Sequence, residues 1–180
     1  MNPRSQYHRA AFSILVATLL AIAIFLPELM ALGWHLVYGR TADFHGRRIP
    51  VPSGWFAIRR DDSLTLERML HIPFGQPTPT IVFLSMHTRK GSRFDPNLWG
   101  NVQVHLQSRR GYRLDATREI QMIGAHGYCW EFVNRRDESD WWITCLVPAE
   151  NLSADFSGRH SFAGALYSIL PAITPAPGSI

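Results

Sequence analysis

The eight histidines are the residues of this chain best suited to bind a metal ion or to transfer a proton. No two of them have the spacing of a ligand motif such as HExxH, and the chain has no CxxC motif. A metal site would therefore require the fold to gather scattered side chains. The set concerned is His71, His87, His105, His126 and His160. The sequence predicts no metal site, no cofactor-binding residue and no cofactor.

The acidic and hydroxyl side chains also lack a catalytic arrangement. The adjacent acids Asp61-Asp62 and Asp137-Glu138 lie in polar stretches, so we interpret them as solvated turn residues rather than as paired general acids and bases. The chain has neither a GxSxG nucleophile elbow nor a glycine-rich phosphate loop. We predict no catalytic residue and favour a protein that is not an enzyme. The alternative is a hydrolase or metal-dependent enzyme with a site built from dispersed histidines and acids.

The two cysteines lie in the most regular part of the sequence. Tyr128–Val133 and Trp141–Leu146 are strand-like runs on either side of a polar connector, a pattern typical of a β-hairpin. Pairing that is symmetric about Asp137 places Cys129 opposite Cys145, about 4.5–5.5 Å apart between Cα atoms, within reach of a disulfide. We predict this disulfide, with two buried thiols as the alternative. The same register pairs three further positions: Trp130 with Thr144, Glu131 with Ile143, and Phe132 with Trp142.

Trp141 and Trp142 are adjacent in the second strand of this hairpin. Neighbouring side chains of a strand point to opposite faces of a sheet, so the two indole rings must lie on different sides. If one of them is exposed, it can line a ligand groove or contact a partner protein. We therefore take Trp141 and Trp142 as the candidate partner or ligand surface, with packing of both rings in the core as the alternative.

The stretch Ala10–Leu26 contains no charged residue and predicts a membrane-spanning helix over residues 10–32, kinked by Pro27. The polar segment 1–9 carries two arginines, which favours a cytoplasmic N-terminus and an extracytoplasmic remainder. The alternative is a signal peptide cleaved before Trp34, which would release a secreted protein.

The remainder of the chain has the size and composition of one folded domain. The whole chain of 180 residues is 46% hydrophobic and 12% aromatic, which excludes disorder for most of it. We predict a juxtamembrane linker over residues 33–43, a domain over 44–172 and a flexible tail over 173–180. The net charge of +4 comes from arginines scattered among acids, so no nucleic-acid partner is expected. A basic surface that binds anionic lipid is the alternative.

Short apolar or alternating runs in this domain predict a mainly antiparallel sheet. The predicted strands include residues 56–58, 64–70 and 118–123, and residues 152–158 are predicted as a strand or an extended connector. Residues 80–86 form a nearly continuous apolar run, which predicts a central strand covered on both faces. Ile49 and Val51 alternate with prolines, which restricts this stretch to an edge strand or an extended lead-in.

Two helices are predicted to pack on the sheet, which makes the fold class α+β. Asp95 followed by Pro96 is a helix-start signal, and Gly111 can end that helix. A strand is the alternative, because apolar residues also alternate here. The second helix covers residues 161–170 and ends at Pro171. The expected buried stripe of the first helix is Leu98, Trp99, Val102 and Leu106, and that of the second is Phe162, Leu166, Ile169 and Leu170.

Three features together resemble the PsbP/Mog1-like α+β domains. They are the opening segment Ile49-Pro-Val-Pro-Ser-Gly-Trp55, the antiparallel strands interrupted by a helix, and the closing helix that ends in Tyr167-Ser-Ile-Leu-Pro171. The resemblance covers about residues 44–172 and implies a sheet with the closing helix packed against it. The family comprises accessory proteins, lipoproteins and binding modules, so the resemblance lowers the expectation of an enzyme and transfers no functional residue.

These observations together predict a single-pass membrane protein with an extracytoplasmic, periplasmic domain that acts as a non-catalytic accessory or binding module. The expected partners are the membrane, through the N-terminal helix, and another membrane or envelope protein. The ligand does not follow from the sequence.

Overall fold

The computed structural model describes residues 3–68, 78–85, 95–122 and 124–177, with side chains from residue 12 onward except at residue 23. Three α-helices are described: α1 (Pro3–Tyr38), α2 (Pro96–Arg109) and α3 (Ala163–Ile169). The strands are β1 (Thr41–Phe44), β2 (Arg47–Pro50), β3 (Phe56–Arg60), β4 (Ser63–Glu67), β5 (Thr80–Ser85), β6 (Tyr112–Met122), β7 (Ala125–Asn134), β8 (Asp140–Val147), β9 (Leu152–Arg159) and β10 (Thr174–Pro175). Short 3-10 helices lie at Pro148–Glu150, His160–Phe162 and Leu170–Ala172.

Seven strands form one antiparallel sheet in the order β3-β4-β5-β9-β8-β7-β6, and β1, β2 and β10 form a smaller sheet beside it. Side chains alternate between the two faces of the large sheet. We call the core face the side that carries Phe83, Cys129, Ile143, Cys145 and Phe156. We call the outer face the side that carries Trp130, Phe132, Trp142, Thr144 and Asp155. The α+β class predicted from the sequence is confirmed.

The β7–β8 hairpin has the register predicted from the cysteines. Cys129 pairs with Cys145, and all three further predicted pairs are present. The two cysteines form a disulfide with Cα atoms 4.0 Å apart, and both are buried in the core face. The disulfide prediction is therefore confirmed.

The core face carries the main hydrophobic core, which α3 and the small sheet cover. Leu166, Ile169 and Leu170 are buried there, as the predicted stripe of the closing helix requires. Trp55, from the opening segment, is 2% exposed and belongs to the same core. Phe162 is half-buried against it. The closing helix therefore packs through its apolar side.

The outer face is covered in part by α2, whose start signal works as predicted. The Asp95 carboxylate caps the helix by accepting hydrogen bonds from the backbone N–H groups of Asn97 and Leu98, and Pro96 occupies the first turn. The predicted buried stripe is wrong for three of its four residues, and only Trp99 packs on the sheet, where it is half-buried. The residues of α2 that are buried are Gly100, Gln103 and Gln107, whereas Leu98, Val102 and Leu106 are 64%, 44% and 46% exposed.

Two strand predictions and the predicted tail also need correction. Burial alternates along β5 and Leu84 on its outer face is 36% exposed, so this strand is not covered on both faces. The β2 strand is the middle strand of its sheet rather than an edge strand. Pro50 is tolerated because it pairs only with β1, whereas β10 pairs with Arg47 and Arg48. Ile173 is buried and β10 follows it, so the last element of the fold lies inside the segment predicted as a tail.

The α1 helix packs on the domain only through its C-terminal part. Ala31 is buried and Trp34 packs against the core, while the described apolar side chains before them are exposed. Within the described residues, no unbroken helix is both long and apolar enough to cross a membrane. The α1 segments Phe12–Ile22 and Ile24–Tyr38 meet at 51° and satisfy length and composition only together. Pro27 accounts for a bend here, because its ring clashes with the carbonyl four residues earlier.

Candidate functional site

The candidate site is a cleft of about 300 Å³ on the core face, at the edge of α3. It is lined by Arg118, Glu131, Trp141, Ile143, His160, Ala163, Gly164 and Tyr167. A buried carboxylate, a guanidinium and an aromatic wall therefore share one half-open cavity. Such a convergence of polar groups in a concave, partly apolar pocket is typical of a binding site.

Two larger hollows, of about 550 and 490 Å³, lie where α1 meets the domain. Their charged lining residues, Arg40, Asp43 and Arg59, are exposed to solvent. Exposed charges cost nothing to leave unliganded, whereas a charge buried in a cleft must be positioned by the fold. We therefore take the smaller cleft as the candidate site.

Strand registers place the charged pair of the cleft. Glu131 lies opposite Ile143 in β8 and opposite Ala116 in β6, so its side chain points to the core face. Arg118 is two residues further along β6 and points to the same face. The β6 strand lies at the edge of the sheet, which leaves the Arg118 side chain 61% exposed while Glu131 is 3% exposed.

Glu131 accepts three hydrogen bonds from its neighbours in the cleft. Arg118 donates from Nε to Oε1 over 2.5 Å and from Nη2 to Oε2 over 3.4 Å. The Tyr167 hydroxyl, from α3, donates a short hydrogen bond to the same Oε1. These donors compensate the cost of burying a carboxylate and tie two strands and a helix together at one group.

The same contacts fix the protonation of the two donors. Burial, followed by the hydrogen bond to Glu131 and its charge, raises the pKa of Tyr167 above its ordinary value. The hydrogen bond to Glu131 and its charge also raise the pKa of Arg118. Both groups therefore keep their protons at neutral pH and serve as fixed donors. The trio can hold a ligand in position, but its phenol and guanidinium are poorly suited to accept a proton.

Trp141 and His160 form the aromatic wall of the cleft. Their ring centroids lie 4.1 Å apart, with 34° between the ring planes. The Trp141 indole Nε1 donates to the backbone carbonyl of Glu138, and the backbone N–H of His160 donates to the carbonyl of Ser139. These two contacts anchor the wall to the hairpin connector, so a flat apolar group has a fixed surface to stack against.

Trp142 lies on the outer face, as the alternation of the strand predicts. Its Nε1 donates to the hydroxyl of Thr144 over 3.0 Å, and the guanidinium of Arg110 lies 5.3 Å from its ring centroid. Trp142 packs against the hydrophobic cluster of the outer face, formed by Trp130, Phe132 and Leu146, which α2 covers. The structure therefore brings only Trp141 of the predicted surface pair into the cleft.

A second mostly buried carboxylate, Asp155, lies on the outer face opposite Thr144. Burial raises its pKa from the ordinary 3.8 to about 6, while a hydrogen bond from Thr144 and the charge of Arg110 oppose that shift. Asp155 forms no ion pair with a described residue. Its environment therefore differs sharply from that of Glu131.

The histidines singled out from the sequence are not gathered within the part of the chain that the structure describes. His105 on α2 and His126 at the start of β7 are exposed, and His160 lies in the cleft. His71 and His87 lie outside the described residues. No group of three or more His, Cys, Asp or Glu side chains able to hold a metal ion occurs in ranges 3–68, 78–85, 95–122 and 124–177. The enzyme alternative stays an untested prediction.

Sequence reasoning missed Arg118, Glu131 and Tyr167 as site residues, and it singled out His160 only as one of the scattered histidines. One signal was available: Glu131 is the single acid in the buried strand segment Tyr128–Val133, and its predicted register placed it among core residues. A buried carboxylate requires donors. No comparable signal marked Arg118 or Tyr167, which are 13 and 36 residues away from Glu131 in the chain.

Comparison with known proteins bears on the fold. The solution structure of cyanobacterial PsbP from Synechocystis is similar to this chain, with a TM-score of 0.51 and 8% sequence identity over 75% of this chain and 91% of that one. The fold resembles that of PsbP. A crystal structure of a Pseudomonas aeruginosa protein of unknown function has a TM-score of 0.49 and 12% identity, over 76% of this chain and 96% of that one. No family model and no curated protein matches the chain.

The resemblance to PsbP-like domains inferred from the opening segment and the closing helix is therefore confirmed at the level of the fold. With so low a sequence identity, the PsbP-like fold carries no ligand, partner or site residue to this chain.

Proposed function

We propose that this chain is a membrane-anchored, extracytoplasmic binding module that takes its ligand in the Trp141–His160 cleft. The observation that carries the proposal is the exposure of α1 on all sides over its apolar length. Sixteen large hydrophobic side chains of α1, from Phe12 to Tyr38, are exposed. A helix that is apolar all round is stable only when it is buried, and this domain does not bury it.

The location of the domain is supported by its disulfide. Disulfides persist in secreted and periplasmic proteins and are rare in the cytosol, where thiols are kept reduced. Cys129 and Cys145 form such a bond in the core. Two arginines precede the apolar stretch, which favours a cytoplasmic N-terminus. Trp34 and Tyr38 at the other end of α1 are residue types that favour the membrane–water interface.

The chemistry of the cleft favours binding over catalysis. Arg118, Glu131 and Tyr167 satisfy one another, and their shared hydrogen bonds keep phenol and guanidinium protonated. The Nη1 atom of Arg118 is outside this pairing and can donate to an acceptor in the cleft. A ligand that fits carries a flat apolar group against Trp141 and a carboxylate or similar acceptor toward Arg118.

Anchoring and topology are tested with the full chain in its native membrane. A reporter that is active only outside the cytoplasm, fused to the C-terminus, should give signal, and silence would reverse the topology. Non-reducing mass spectrometry of the extracted chain should find Cys129 joined to Cys145 and residues 1–33 retained. Loss of residues 1–33 would replace the anchor with a cleaved signal peptide, and two free thiols would contradict the oxidising compartment.

Ligand binding is tested by ligand-observed NMR on the full chain in detergent micelles. The probes are small aromatic carboxylates, with matched aromatic amides as negative probes. We expect carboxylates to bind the native chain, and binding to be lost in Trp141→Ala and Arg118→Gln. Arg136→Gln is the matched control, because Arg136 is exposed and lies outside the cleft. Equal binding of all three variants, or no preference for carboxylates, would reject the cleft as the site.

A further inference from the structure

The apolar stripe of α2 is exposed because the helix packs on the sheet through its other side. Leu98, Val102 and Leu106 are 64%, 44% and 46% exposed, while Gly100 and Gln107 are buried. Residues four apart lie above one another on a helix, so the three apolar side chains form one line. An amphipathic helix of a soluble domain normally turns such a line inward.

Charged groups extend this line symmetrically at its two ends. Asp95, the N-cap, lies three residues before Leu98, and Arg109, the last residue of α2, lies three residues after Leu106. Both are exposed. The five side chains therefore repeat with the spacing 3, 4, 4, 3 along one side of the helix. Val102 is at the centre, with one leucine and one charge of opposite sign on either side.

We propose that α2 is a self-association surface, on which a second copy of this chain pairs antiparallel about a two-fold axis at Val102. Such an isologous pairing places Leu98 against Leu106 of the second copy, in both directions. It also places Asp95 beside the second copy's Arg109, twice. A parallel pairing would instead put Asp95 beside Asp95 and Arg109 beside Arg109, which is electrostatically unfavourable.

The charge pattern is what selects a second copy as the occupant. A helix of this length, about 21 Å, offers a small interface, so complementarity at both of its ends matters. In an antiparallel pair, the positive N-terminal end of one helix lies beside the negative C-terminal end of the other. This arrangement of the helix dipoles also favours the antiparallel orientation. The pairing requires no ligand and involves none of the cleft residues, so it is independent of the function proposed above.

Site-directed crosslinking of the full chain in its native membrane tests the pairing. Both native cysteines are in the disulfide, so an introduced cysteine is the one free thiol. With a short bis-maleimide, Val102→Cys should give a crosslinked dimer. Asn101→Cys is the matched control, since it is exposed on α2 but lies off the stripe. Absence of the Val102→Cys dimer, or an equal yield from Asn101→Cys, would overturn the proposal.

Orientation is tested by co-expressing two differently tagged chains. Leu98→Cys in one and Leu106→Cys in the other should crosslink, whereas Leu98→Cys should not crosslink with itself, because its two copies would lie about 12 Å apart along the axis. A crosslinked Leu98→Cys homodimer without the mixed product would mean that the helices pair in parallel, and it would reject the antiparallel pairing.

The charges are tested by Arg109→Glu in the Val102→Cys background. This change places a glutamate beside Asp95 of the second copy at both ends of the helix pair. It should lower the yield of crosslinked dimer about fivefold. Arg60→Glu makes the same change in net charge at an exposed position in β3, at the opposite edge of the large sheet from β6, and should leave the yield unchanged. An equal loss from both variants would show that net charge, and not the pairing of Asp95 with Arg109, governs association.

Discussion

The two faces of the large sheet bury their covering helices in opposite ways. On the core face, α3 presents its apolar side, and Leu166 and Ile169 are 0% and 1% exposed. On the outer face, α2 buries a glycine and two glutamines, packs Trp99 and Val104 against the sheet only in part, and leaves the line of Leu98, Val102 and Leu106 outside. Both helices cover apolar sheet residues. The difference shows that an apolar stripe on a helix predicts burial only when the side chains of the sheet beneath it leave enough space for the apolar side chains.

The two faces also hold their buried carboxylates differently. Glu131 on the core face accepts hydrogen bonds from a guanidinium and a phenol. Asp155 on the outer face has a hydroxyl neighbour, Thr144, and burial raises its pKa to about 6. The comparison suggests that one carboxylate stabilises the fold and the other destabilises it while it is ionised. Replacing each with its amide separates the two cases.

The largest effect is expected for Glu131→Gln. The amide keeps the shape of the side chain but turns an NH₂ group toward a donor, and it loses the charge-assisted hydrogen bonds. We expect the free energy of unfolding to fall by about 3 kcal/mol. The measurement is thermal or denaturant unfolding of the full chain in micelles, followed by tryptophan fluorescence.

Tyr167→Phe is the companion variant, because it removes a single donor and leaves the ion pair intact. It should cost roughly half as much as Glu131→Gln. If Glu131→Gln were as stable as the native chain, the carboxylate would be kept for binding and would contribute nothing to the fold.

The opposite sign is expected for Asp155→Asn. The folded pKa of about 6 lies above the ordinary 3.8, so the folded state binds the proton more tightly than the unfolded state. The free energy of unfolding of the native chain therefore falls as the pH rises from about 4 to about 6, and levels off above that range. Asp155→Asn should be about 2 kcal/mol more stable than the native chain at pH 8 and nearly equal to it at pH 4.

Unfolding at a series of pH values between 4 and 8 measures this prediction. Asp137→Asn is the control, because Asp137 is exposed and hydrogen bonds from Ser139 lower its pKa. Its protonation therefore changes the free energy of unfolding only at pH values below this range. If Asp155→Asn kept the native slope, or were less stable at pH 8, the assignment of the destabilising charge to Asp155 would be wrong.

The sequence contained enough to predict the hairpin but too little to predict the packing of α2. In β7 and β8, strand alternation, the polar connector and the two cysteines all indicate one register, and the structure has it. In α2, the apolar pattern identifies which side chains are hydrophobic, not which are buried. The large ring of Trp130 lies beneath the helix and leaves space only for Gly100, so close approach decides the orientation.

The candidate site was less predictable than the fold. Glu131 was visible as an acid in an apolar strand, but its donors come from distant parts of the chain. Arg118 reaches it across the β6–β7 pair and Tyr167 from the closing helix. Tertiary placement of this kind leaves no periodic signal in a single sequence, because each residue fits its own element equally well without the others.

The smallest effects are expected from two matched glycine substitutions, one in each covering helix. A Cβ at position 100 would lie 2.5 Å from Nε1 of Trp130 and 3.0 Å from its Cε2. Gly100→Ala should therefore push α2 from the outer face and lower the free energy of unfolding by about 1–2 kcal/mol, although alanine is the better helix former. A Cβ at Gly164 in α3 meets no atom within 4 Å.

Gly164→Ala should raise the free energy of unfolding by about 0.5–1 kcal/mol, because helix propensity then acts without a steric cost. Unfolding of both variants under one set of conditions gives the contrast directly. A stabilising Gly100→Ala would mean that the helix can lift from Trp130 at no cost. The outer face would then hold α2 by the hydrophobic cluster as a whole rather than by the close contact of one glycine with one indole ring.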